Sequence, residues 1–112
     1  MSPADRIAVG DIRDACSRVT AFVGTMDGQD FIADLKSQSA VAYRLIVIGE
    51  ATKRLSKAFR LANPPVDRRA MAGMRDILVH DYHKLDVSIL WRSASLSVPA
   101  LCLAVSRLLD GP

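Results

Sequence analysis

Apolar residues recur at alternating steps of three and four along most of this chain, in runs far too long for strands. Ala8, Ile12, Ala15, Val19, Phe22 and Met26 form one row. Phe31, Leu35, Gln38, Ala42, Leu45, Ile48, Thr52, Leu55 and Phe59 form a second, and Val87, Leu90, Ala94, Val98, Leu101, Val105 and Leu108 a third. Side chains three and four apart stack on one face of an α-helix, so each row marks a helix with one face to bury. Only five prolines and six glycines punctuate 112 residues, too few for the turns of a many-stranded sheet. With half its residues hydrophobic, the chain is expected to form one all-α domain over residues 1–112, an up-and-down bundle around one core.

Local signals set the expected boundaries. Ser2-Pro3 opens the first helix, with Asp5 in its first turn. Off the apolar row, Asp14 and Arg18 make a favourable i,i+4 pair. Asp27-Gly28-Gln29-Asp30 breaks the pattern, and Asp30 is placed to cap a second helix from about Phe31 to Ala62. Lys53, Arg54, Lys57 and Arg60 make its last part basic, and Asn63-Pro64-Pro65 stops it. Asp67 is a candidate cap for a short third helix, from about Arg68 to Asp81, followed by a connector at His83-Lys84-Leu85. Asp86 then caps a last helix, Val87 to Asp110, which Gly111 terminates and Pro99 should kink. A second row, Ile89, Leu96 and Leu103, makes this helix apolar on two sides, so it should meet the core on one and either core or a second chain on the other.

Charge narrows function only loosely. Net charge is +3, and 11 of the 15 basic residues are arginine, the side chain best shaped for phosphate or carboxylate. Such an excess permits nucleic-acid binding without requiring it. Glu50 is the only glutamate. Cys16 and Cys102 both lie in apolar helical patterns and read as reduced core thiols. No signal peptide and no apolar run of transmembrane length is expected, which points to a soluble cytoplasmic protein without a membrane partner.

The chemistry concentrates in Gly73-Met74-Arg75-Asp76-Ile77-Leu78-Val79-His80-Asp81-Tyr82. Arg75 offers a permanent charge and a planar fork of donors that fits a phosphodiester. His80 titrates near neutrality and can move a proton, either from a ribose 2′-hydroxyl or to a leaving oxygen. The two are a minimal kit for metal-free RNA cleavage, with RNA preferred because the nucleophile is its own 2′-hydroxyl. On an ideal helix, residues five apart are about 140° apart, so Arg75 and His80 do not share a face. Asp76 and His80, four apart, do, so Asp76 can orient the imidazole. Two copies across a two-fold axis would bring Arg75 of one near His80 of the other, which predicts a homodimer. On residue types alone a structural role also fits: Arg75 paired with a carboxylate, His80 against a helix end and Tyr82 at a core edge.

The stretch Arg75-x4-His80-x-Tyr82, with its flanks, resembles the signature of HEPN domains of the HepT-like toxin family. Ile48-Gly49-Glu50-Ala51, Leu90-Trp91 and Val98-Pro99-Ala100-Leu101 are similar to other segments of that family, so the likeness covers nearly the whole chain. One departure is Arg68, where members often carry tryptophan. The resemblance implies a four- or five-helix bundle, homodimeric, with the two motifs lining an interface cleft. It implies a metal-independent ribonuclease toxin using Arg75 and His80, with Asp76 in support and no cofactor of its own. Its partner would be a minimal nucleotidyltransferase antitoxin that uses ATP to attach AMP to Tyr82, adding bulk and negative charge beside the cleft. Glu50 then reads either as an interface residue pairing with a motif cation such as Arg75, or as a surface partner of Arg54 at i,i+4. Two alternatives to the enzyme stay open: a non-catalytic helical module that docks the nucleotidyltransferase, and a helical dimer whose motif is structural.

Overall fold

The computed structural model describes residues 1–69 and 86–111, and every element in them is helical. Helix α1 spans Pro3–Val23. Ser2 caps it, its hydroxyl accepting from the Asp5 N–H at 3.0 Å, and Pro3 fills the first turn, where a missing N–H has no consequence. The helix ends at Gly24, whose φ of +53° lies in the left-handed region where glycine is tolerated. The first apolar row therefore stops short of Met26. Ala8, Ile12, Ala15 and Val19 are buried as expected, joined by Val9 and Cys16, while Phe22 is 37% exposed.

The second expected helix is not one helix. Asp27, rather than Asp30, caps a single short turn, α2 (Gly28–Ile32). Asp27 accepts from the Asp30 N–H at 2.8 Å and Asp30 returns the bond to the Asp27 N–H at 3.0 Å, a reciprocal capping box. Asp34 then caps α3 (Leu35–Lys53), accepting from the Ser37 amide and hydroxyl. Ser56 caps α4 (Lys57–Ala62). Two of these side-chain acceptors, Asp34 and Ser56, thus start helices inside a row that periodicity alone joins. The row survives the breaks: Phe31, Ala42, Leu45, Ile48, Thr52, Leu55 and Phe59 are all buried. Leu35 is the exception at 77% exposed, because it opens α3 at a corner. Gln38, a polar member of the row, donates to the Phe31 and Ile32 carbonyls at 2.9 and 3.0 Å and so covers the free end of α2.

Asn63 ends α4, yet helix resumes at once over residues 64–69. Pro64 and Pro65 stop one helix and supply the first turn of the next. Asp67 is therefore inside this segment, not its cap. The expected Arg68–Asp81 helix lies mostly outside the described residues, as do the His83-Lys84-Leu85 connector, Arg75, Asp76, His80 and Tyr82.

The last helix, α5 (Val87–Asp110), begins and ends as expected, at Asp86 and at Gly111 with φ +85°. The disturbance expected from Pro99 takes the form of a π-helical turn over Ser93–Ser97, in which the Val98 N–H reaches back five residues to the Ser93 carbonyl. Pro99 has no N–H, and its ring crowds the carbonyl four residues back, so the ladder widens just before it. Leu90, Ala94, Val98, Leu101 and Val105 are buried. Leu96 and Leu103 are 66% and 55% exposed, so the second apolar row faces away from the core of the chain.

By length and composition α5 is apolar enough to cross a membrane, with mean hydropathy 1.4 in its richest window, against the sequence expectation. A core helix passes the same test, and one face of α5 packs on α1. Helix α1 is the centre of the fold, with α3 on one side and α5 on the other. Helix α2 is pinned to α5 by Phe31 against Trp91, ring centroids 5.3 Å apart; a side chain at Gly28 would start 3.2 Å from the indole nitrogen.

Candidate functional site

Of the site residues singled out in the sequence, only Glu50 falls among the described residues. It lies on the solvent face of α3 and its carboxylate is 3.3 Å from the Lys53 ammonium. The expected surface pair with Arg54 is not formed. Arg54 instead reaches Asp11 on α1 at 2.6 Å, because the start of α1 lies beside the end of α3. Among the described residues Glu50 is held by an exposed i,i+3 pair alone, a contact worth a few tenths of a kcal/mol. The Asp14–Arg18 pair forms as expected, at 3.0 Å.

The chain enters the motif through a polar junction that periodicity did not reveal. The Arg60 guanidinium donates to the Thr52 carbonyl in the last turn of α3. Its Nε lies 3.9 Å from Asp67 Oδ1, and both atoms are buried without a hydrogen-bond partner. Arg60 thereby joins α3, α4 and residues 64–69. The next arginine but one after Asp67, Arg69, lines a small cavity of about 10 Å³ with Leu45, Ile48, Ser93 and Ser97. The sequence signal was the basic run itself, read earlier as a helix end favourable to the dipole.

A second polar junction closes the opposite side of the end of α3. Asp5 is buried, and its carboxylate accepts from the Ser56 N–H at 2.8 Å and the Ser56 hydroxyl at 2.7 Å. These two bonds hold the Asp5 carboxyl below its ordinary range, the hydroxyl contributing most. Beside them is a cavity of about 500 Å³, lined on its apolar side by Phe59, Ala62 and Leu108. Cys16 is a free, buried thiol whose pKa burial pushes up to about 12, with Cys102 nearby adding to the effect; it is inert packing, as expected. Among the described residues, no group of three or more His, Cys, Asp or Glu side chains is placed to hold a metal ion.

Comparison with known proteins bears on the stretch that the geometry leaves out. Residues 12–108 match the family model described as Ribonuclease HepT-like. Probable ribonuclease HepT of Thermococcus cleftensis is 37% identical over 91 residues, covering 81% of this chain and 83% of the relative. A Methanocaldococcus jannaschii protein named "Putative RNase" is 34% identical over 91 residues, covering 81% of this chain and 78% of its own length. A Caldanaerobacter subterraneus protein of the same name type is 35% identical over 82 residues, 73% of each chain. No solved structure gives a significant match.

Proposed function

The chain belongs to the HepT-like ribonuclease family, and from that premise we propose that it is an endoribonuclease acting as the toxin of a toxin–antitoxin pair. The observation that carries the reading is a family match running through residues 12–108, and so through Arg75, His80 and Tyr82. In the proposed mechanism Arg75 holds the scissile phosphate and offsets the charge that grows on its oxygens. His80 takes the proton from the 2′-hydroxyl as that oxygen attacks phosphorus, or protonates the departing 5′-oxygen. The products are a 2′,3′-cyclic phosphate and a 5′-hydroxyl end, and no metal ion enters. Asp76, four residues before His80, orients the imidazole.

The site is completed by a second copy of the chain, Arg75 of one facing His80 of the other. Support comes from Leu96 and Leu103, whose exposure leaves an apolar row on α5 for a second chain to cover. Glu50, exposed on α3, is free to pair with a motif cation across that interface. The partner that restrains the toxin is a minimal nucleotidyltransferase antitoxin, which uses ATP to attach AMP to Tyr82. The complex works in the cytoplasm, and this chain itself needs no cofactor.

Purified protein should cleave RNA in EDTA and leave 2′,3′-cyclic phosphate ends. Arg75→Ala and His80→Ala should each abolish cleavage while leaving melting temperature and dimer mass unchanged. Strict dependence on a divalent cation would remove the mechanism. Growth arrest that persists in His80→Ala would favour the docking-module alternative. Mass spectrometry of Tyr82 after co-expression with the nucleotidyltransferase tests the modification.

A further inference from the structure

The positive charge of this chain is not spread evenly. Residues 53–69 hold six basic side chains (Lys53, Arg54, Lys57, Arg60, Arg68 and Arg69) and one acid, Asp67, a net +5. With the whole chain at +3, everything outside that segment sums to −2. One stretch therefore carries more than the entire excess.

The fold gathers this stretch around one hub. Arg60 bonds the end of α3 and faces Asp67, so α4 and residues 64–69 are held against each other. Among the described residues three acids pair with this stretch: Glu50 weakly with Lys53, Asp11 with Arg54 and Asp67 with Arg60. Lys57, Arg68 and Arg69 are exposed and have no ion-pair partner among the described residues. Arg69 is six residues before Arg75, so chain length alone keeps their Cα atoms within about 20 Å.

We propose that residues 53–69 form a phosphate-binding strip, with Lys57, Arg68 and Arg69 as its contacts, that holds the backbone of single-stranded RNA running toward the Arg75–His80 site. RNA is favoured over an acidic protein because two of these three exposed cations are arginines, whose forked donors suit phosphate oxygens, and because no large apolar side chain but Leu61 is exposed within the strip to anchor a protein. These contacts carry no base selectivity, only position. The inference rests on the ribonuclease reading but can fail separately from it.

The test measures binding of a short single-stranded RNA across a salt series, in a His80→Ala background so that RNA is not consumed. For single strands the log–log slope is about 0.7 per phosphate contact, so Lys57→Gln/Arg68→Gln/Arg69→Gln should flatten it by about 2. A control of equal charge from outside the strip, Arg18→Gln/Lys36→Gln/Arg92→Gln, should leave it unchanged. In the catalytically intact chain, the strip variant should raise KM and spare kcat. Should Arg69→Gln disturb the cavity it lines, Lys57→Gln/Arg68→Gln should still flatten the slope by about 1.4. Equal slopes in strip and control variants would overturn the proposal, as would lost binding of the nucleotidyltransferase with RNA binding intact. A chain that binds RNA through the strip but never cuts it would sink the ribonuclease reading alone. Cleavage with an unaltered salt slope would sink only the strip.

Discussion

Helix α1 and the stretch from Gly28 to residue 69 carry apolar rows of equal regularity, yet the first is one helix and the second is four short or long pieces. The difference lies in where a side-chain acceptor can take over a backbone N–H. Between Ser2 and Gly24 no capping side chain interrupts α1, and burial against α3 on one side and α5 on the other keeps it whole. Between Gly28 and residue 69, Asp34 and Ser56 each accept the amide three residues on, and two prolines start another turn. Apolar period reports what is buried; capping reports where helices begin.

Each half of that contrast can be attacked. Ile12 is wholly buried at the centre of α1, so Ile12→Ala should have the largest effect, about 2–5 kcal/mol in urea unfolding, with loss of a single cooperative transition's midpoint rather than of one helix. Ser56→Ala should cost about 1–2 kcal/mol by removing the α4 cap, together with the hydroxyl bond to Asp5; a near-zero result would mean that the break between α3 and α4 does not depend on the cap.

Next comes acid. The Asp5 carboxyl is held below its ordinary value of 3.8 in the folded chain, so its contribution is present above that pH and is lost as pH falls through the depressed folded value. Melting temperature should drop more steeply below pH 4 in the native chain than in Asp5→Asn. Equal acid sensitivity of the two would remove Asp5–Ser56 as the clasp between α1 and α4. The smallest effect is expected for Arg54→Ala. Its bond to Asp11 is short but exposed on both sides, so the loss should stay under about 1 kcal/mol and shrink further in salt.

The same contrast explains how much could be read in advance. Core membership was legible almost residue by residue, because Ala8, Ile12, Leu45, Ile48, Leu101 and Val105 sit where a 3.6-residue period puts them. The α5 boundaries were legible because Asp86 and Gly111 are strong, unambiguous signals. The α2–α3 corner was not, since Asp27, Asp30 and Asp34 are chemically equivalent candidates and two of them, Asp27 and Asp34, each start a helix. Nor was Asp11 as the partner of Arg54, because 43 residues separate them and helix spacing favoured Glu50. The family was legible from the residue types and spacing of Arg75-x4-His80-x-Tyr82, and the match over residues 12–108 bears that out. The Arg60–Asp67 and Asp5–Ser56 junctions were hidden, since both join residues through tertiary proximity.

The wide turn at Ser93–Ser97 makes α5 two registers spliced into one rod. A π turn spreads five residues over nearly the rotation that four take in an α-helix, so removing one of the five would let the helix close up to ordinary pitch while everything beyond kept its face. Leu101 and Val105 would then stay against α1. Removing a residue just after Val98 instead, where no spare one is held, would turn everything beyond by roughly 100° and carry Val105 off α1.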